Sequence, residues 1–95
     1  MGRRTKMPVS SGKLTIGTAA VQVPAGSNMA WTLHLHNNDN SDALFVGGPG
    51  VTASTGMQVN KIERAIFEAG PLDRFYVVSS KATHVVSFLA ITQDD

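Results

Sequence analysis

Two histidines, His34 and His36, lie two residues apart in MAWTLHLHN (Met29–Asn37), a run that alternates apolar and polar residues. In an extended strand residues i and i+2 share a face, so the two imidazoles leave the same surface. Paired imidazoles are the start of a transition-metal site, and symmetry around an axis can multiply them. A closed site takes about four ligands, and the flanking sequence offers no third. His34 and His36 are therefore assigned as polar residues on the open face of a strand, available to a partner, with no metal.

The other reactive side chains lead to no mechanism. Asp39-Asn40-Ser41-Asp42 is rich in oxygen ligands, but a helix-flanked calcium loop needs acids at alternating positions, a central Gly and a terminal Glu. It reads as a polar turn whose side chains bond their own backbone. Gly47-Gly48-Pro49-Gly50 lacks the Lys-Ser/Thr pair that opens a helix beneath a phosphate. It reads as a tight surface loop, and Gly48 and Pro49 are placed at a docking surface. Ser, His and Asp all occur, but no Ser sits in a G-x-S-x-G elbow, and His84 has no carboxylate near it in sequence. With no cysteine, thiolate chemistry, disulfides and Cys-based zinc sites are excluded. No catalytic residue, metal or cofactor is assigned.

These residues are carried by short strands. Trp31, Leu33 and Leu35 alternate with Thr32, His34 and His36, which puts the first three in a core and makes the only tryptophan a core anchor rather than a sugar-stacking platform. KLTIGTAAVQVP (Lys13–Pro24) gives two strands interrupted at Gly17. Leu44–Val46, Met57–Val59, Phe75–Ser79 and Val85–Thr92 give more, as short apolar runs between turn-like segments. Ile62–Ala69, IERAIFEA, is ambiguous: Ile62, Ala65, Ile66 and Ala69 fit helical spacing, but its strand-like flanks favour a strand. The core is assigned to Leu14, Ile16, Val21, Val23, Trp31, Leu33, Leu35, Leu44, Val46, Val77, Leu89 and Ile91. The fold expected is all-β: one small antiparallel sandwich of about seven or eight strands. It occupies residues 13–95, behind an extended arm at residues 1–12.

The 95 residues suffice for one domain with one core. No apolar run is long enough to span a bilayer, and the basic N-terminus leads into no apolar stretch of the kind a secretory signal carries. The net charge of +1 conceals a split. Arg3, Arg4, Lys6 and Lys13 give residues 1–13 a charge of +4, and residues 14–95 sum to −3. A basic arm before an acidic body suggests a clamp onto a neighbour, with Arg3, Arg4 and Lys6 supplying charge and Met7 and Val9 apolar contact. Three clustered cations without an interleaved aromatic are a poor footprint for nucleic acid.

The stretch Ala43–Ser80 carries a further signal. An apolar LFVGGPGVTASTG strand and loop, a Met-X-Val, a strand with a turn and then Leu-Asp-X-Phe-Tyr-Val-Val resemble small β-sandwich virion proteins of tailed bacteriophages, over roughly residues 13–92. IERAIFEAG departs from that pattern by carrying more charge. The resemblance implies a non-enzymatic structural protein. It points first to a capsid decoration (cement) protein that binds the outer surface of the major capsid protein shell, made in the bacterial host cytoplasm. Partners implied are the major capsid protein or another virion protein, and further copies of the chain, with a trimer favoured by analogy. A head-fibre base or tail component is the alternative. A carbohydrate or cell-surface binding module is less compatible, because one Trp and one Tyr give little stacking surface.

Overall fold

The computed structural model of the protein describes residues 9–92. Arg3, Arg4, Lys6 and Met7, assigned above to a clamp, lie outside them. Eight strands follow in order: β1 (Val9–Ile16), β2 (Val21–Gln22), β3 (Trp31–Asn37), β4 (Leu44–Gly47), β5 (Met57–Val59), β6 (Arg64–Ala69), β7 (Tyr76–Ser79) and β8 (His84–Thr92). They form two four-stranded sheets, ordered β1-β8-β3-β6 and β2-β7-β4-β5, with every pairing antiparallel. No helix occurs among the described residues. The expected all-β sandwich is the observed fold.

The strand β3 organises the core. Its side chains alternate between buried and half-buried along its whole length. Trp31, Leu33 and Leu35 meet Ile16, Val23, Leu44, Val46, Val59, Val77, Val86 and Phe88 in one cluster. Trp31 packs edge-on against Phe75, with ring centroids 5.5 Å apart, and Phe67 joins at 5.4 Å from Phe75. This is the core-anchor role expected of the tryptophan.

Four assignments change. First, Leu89 and Ile91 sit half-buried on the outer face of their sheet, and Val86, Phe88 and Ala90 point inward. Both faces of VVSFLAIT are apolar, so period two alone cannot choose between them. The pairing chooses: Leu33 lies opposite Ala90 and Leu35 opposite Phe88, so those residues share the core face with Leu33 and Leu35. Second, Val21 is 37% exposed, because β2 is a two-residue edge strand with nothing laid over that position. Third, Leu14 is only partly buried and packs against the rim of the core. Fourth, Val9, the first described residue, already lies in the sheet. Residues 9–12, assigned to the arm, pair with β8 from Val9 opposite Ile91 to Gly12 opposite Phe88.

The loop between β4 and β5 folds back on itself, and Val51 is buried beneath it. A Cβ at Gly56 would lie 2.7 Å from Phe45 Cβ and 2.8 Å from Val51 Cγ2, so a side chain there has no room. Packing excludes a side chain at Gly47 as well, and Gly50 adopts a positive φ of 81°, which suits the tight surface loop read from the sequence.

Candidate functional site

The outer face of the β1-β8-β3-β6 sheet carries His34 and His36, and the register fixes their neighbours. His34 lies between Leu89 on β8 and Ile66 on β6; His36 lies between Ser87 and Arg64. On β1, Ser11 adjoins Leu89 and Lys13 adjoins Ser87. One row across the sheet therefore reads Ser11, Leu89, His34, Ile66, and the next reads Lys13, Ser87, His36, Arg64. A third row, Val9, Ile91, Thr32, Glu68, lies on the other side of the first. A shallow groove of about 240 Å³ runs between His34, His36, Arg64, Ser87 and Leu89. The face is thus apolar at its centre, with a basic row along one side.

Its polar groups are tied down locally. The side chain of Asn38 bonds His36 Nδ1 through Oδ1 and donates through Nδ2 to Ser87 Oγ at 2.7 Å. The Arg64 guanidinium belongs to the residue directly opposite His36, and a fixed cation there opposes capture of a metal ion. Among the described residues no three His, Asp or Glu side chains are grouped to hold a metal.

Gly48 and Pro49 are exposed at the loop that follows β4, on the other sheet. The structure does not join them to His34 and His36 in one site. Val9 opens β1 and is 58% exposed beside Ile91. Val9 therefore shares the outer face with His34 and His36, two strands across the sheet and one row from His34, and Gly48 and Pro49 lie apart from them.

The most connected polar cluster is one that the sequence reading missed. Asn37, Ser79 and His84 are all buried in the sandwich. Asn37 Nδ2 shares its two hydrogens among the carbonyl oxygens of Asp42, Val59 and Asn60, at 2.9, 3.1 and 3.1 Å. Its Oδ1 must therefore accept, and it faces the Asp39 N–H at 3.0 Å and His84 Nε2 at 2.7 Å. Nε2 carries the ring proton, Nδ1 is the acceptor, and the Ser79 hydroxyl donates to it at 2.8 Å. Ser79 Oγ in turn accepts the Lys81 N–H at 3.1 Å. The chain of partners looks like a Ser-His-Asn catalytic constellation, but it serves another purpose. All three side chains are sealed in the core, and the amide of Asn37 is spent on backbone carbonyls. The cluster staples the turns after β3, β5 and β7 to the strand β8. A signal for part of it was present: Asn37 continues the alternating series 31, 33, 35, whereas the inward parity of His84 is set by the pairing of β8.

An ion pair sits over this staple. Lys81 Nζ lies 2.6 Å from Asp39 Oδ1 and 3.4 Å from Asp42 Oδ2. Asp39 Oδ2 accepts from the backbone N–H groups of Ser41 and Asp42. The oxygen-rich turn is thus saturated by its own chain, as its reading as a turn implies. Lys81 first, and then the Asp42 N–H, hold the Asp39 carboxyl well below the usual carboxylate range.

Burial pushes the His84 pKa below the ordinary histidine value of 6.5. Nearby Lys81 adds to the depression, and Asp39 and Asp42 oppose it. The unfolded chain takes up a proton near that ordinary value that the folded chain refuses, so the unfolded state binds more protons in this range. Stability is full above about pH 6.5 and falls as the pH drops toward the folded value. The melting temperature is expected to decline as the pH falls below about 6.5. His84→Gln, even if less stable throughout, should show a flatter decline. An unchanged slope in that variant would place the titration elsewhere.

No family model matches the chain, and no curated protein matches it. A solved structure from a Bacillus endospore appendage, described as one of a novel family of disulfide-linked pili, shares the fold. It superposes with a TM-score of 0.59 at 12% identity, covering 98% of this chain and 93% of that one.

Proposed function

We propose that this chain is a non-enzymatic structural subunit of a large assembly, and that the assembly is a tailed-bacteriophage virion, with the chain bound to the outside of the capsid shell as a decoration protein. The observation that carries the structural role is the distribution of polar groups. Among the described residues, the cluster with the connectivity of catalytic machinery is sealed in the core, and the open surface carries an apolar sheet face with a basic row. The shared fold with an appendage protein supports the same class. The placement on a capsid rests on the resemblance of Ala43–Ser80 to virion proteins.

The appendage likeness favours a second reading, as the subunit of a filament. The pili of that family are disulfide-linked, and these 95 residues have no cysteine. That cross-link is not open to them.

The test is co-sedimentation with phage particles that lack the protein. The full chain should bind, and a form without residues 1–8 should stay folded but bind more weakly, because Arg3, Arg4, Lys6 and Met7 are removed while β1 is left whole. Surface charge pairs contribute only about 0–1 kcal/mol each. Replacing Arg3, Arg4 and Lys6 with Gln should therefore weaken binding less than the deletion, and mainly at low salt. If the full chain does not sediment with particles but forms filaments by itself, the second reading replaces the first.

A further inference from the structure

Four strands end the two sheets, and they differ as edges. The strands β2 and β5 have two and three residues, too short to template another chain. The strand β1 is long, but Ser10, Ser11, Gly12 and Lys13 make its middle flexible, polar and charged, features that blunt an edge. The strand β6, Arg64-Ala65-Ile66-Phe67-Glu68-Ala69, has no Pro, Gly or Lys, and it pairs only with β3 among the described residues. Ile66, at its centre, is 58% exposed.

The direction of its backbone groups follows from one bond. Asn37 N–H donates to the Glu63 carbonyl at 2.9 Å, one step beyond the last β3–β6 pair. Backbone groups alternate along a strand, so Ala65, Phe67 and Ala69 also turn theirs toward β3. Arg64, Ile66 and Glu68 turn theirs to the open edge. The side chains of those same three residues lie on the outer face of the sheet, with His36, His34 and Thr32.

We propose that β6 pairs antiparallel with β6 of a second copy about a two-fold axis at Ile66, joining two four-stranded sheets into one of eight. In that register Ile66 faces the partner's Ile66, Arg64 faces the partner's Glu68, and Glu68 faces the partner's Arg64. All three positions present open N–H and C=O groups, so the ladder closes with a pair of backbone bonds at each. Neither Arg64 nor Glu68 belongs to an ion pair among the described residues. The neighbouring registers are poorer: centring on Arg64 or Glu68 sets like charges opposite, and centring on Ala65 or Phe67 sets Arg64 or Glu68 opposite the apolar Ile66 of the other copy. Of the registers that use the open backbone groups, the one centred on Ile66 sets both charges opposite their opposites. A second copy laid along this edge also covers the flank where Met57, 60% exposed, lines a groove with Phe67 and Glu68. The proposal does not depend on which assembly the chain serves, and it predicts two-fold rather than three-fold association.

The test is sedimentation of the full chain over a wide concentration range, with two charge reversals. The wild type should show a monomer–dimer equilibrium. Arg64→Glu and Glu68→Arg each set two like-charged pairs opposite one another and should weaken the dimer about tenfold or more, with melting of the monomer little changed. Mixing the two variants restores opposite charges at both pairs, so a heterodimer should form, and the double variant R64E/E68R should dimerise like the wild type. A wild type that is monomeric throughout, or trimeric, overturns the proposal. So does a dimer that survives the single reversals, or a mixture of the two variants that stays monomeric.

Discussion

Asn37→Leu is expected to cost about 3–5 kcal/mol, among the largest losses available to a single change in this domain. The side chain is fully buried and makes five polar contacts: three donated to the carbonyls of Asp42, Val59 and Asn60, and two accepted from Asp39 and His84. Leucine has similar bulk, so packing is nearly conserved. What is lost is satisfaction of groups that stay behind. A buried donor or acceptor left without a partner costs about 1–3 kcal/mol, and His84 Nε2–H becomes one. Urea unfolding should show a lower midpoint with an unchanged slope. Asn37→Asp separates hydrogen bonding from shape, because a carboxylate fills the same space but cannot donate to three carbonyls, and it should destabilise too. As a control, Asn38→Ala removes a half-buried link to Ser87 and should cost about 1 kcal/mol. If Asn37→Leu unfolds at the wild-type midpoint, the staple is ornamental and the turns are held by their backbones alone.

The same residue shows where the sequence was readable and where it was not. Alternation in MAWTLHLHN assigned both faces of β3 correctly, because one face is apolar and the other polar. That alternation also ran on to Asn37, but a polar residue beside Asn38, Asp39 and Asn40 looked like the start of a turn. It is both, the last residue of the strand and the anchor of the turn. The segment IERAIFEA admitted a helix, since Ile62, Ala65, Ile66 and Ala69 fit that spacing. The strand forms because pairing with β3 buries Ala69 and half-buries Ala65 and Phe67, leaving Ile66 outside. Period alone could not decide this, because hydrophobic residues occupy both parities. The strand β8 posed the same difficulty more sharply: Val85, Leu89 and Ile91 are as apolar as Val86, Phe88 and Ala90. Contacts distant in sequence decide such cases, and so does the assembly of Asn37, Ser79 and His84, which lie up to 47 residues apart. The open surface was legible to the extent that His34 and His36 share a face. The groove beside them needs Ser87, Leu89 and Arg64 from two other strands.

Leu33→Ala and Leu89→Ala should differ widely, although the two leucines occupy the same sheet within one position of being cross-strand partners. Leu33 is fully buried on the central strand β3, between Ala90 on β8 and Phe67 on β6. Truncation there opens a cavity beside the small Ala90, which cannot fill it, and the expected cost is about 2–5 kcal/mol. Against the roughly 5–15 kcal/mol of a typical domain, that is enough to leave an isolated copy partly unfolded. Leu89 faces outward beside His34 and already borders solvent in the groove, so its truncation should cost about 1 kcal/mol or less. Thermal melting of the two variants side by side measures the difference. Equal losses would mean that β8 has been placed with the wrong face inward, since Leu89 carries a core residue's penalty only if it takes the position the structure gives to Phe88 or Ala90. A large gap fixes the register of β8 against β3, and with it the composition of the outer face on which His34, Ile66 and Leu89 stand together.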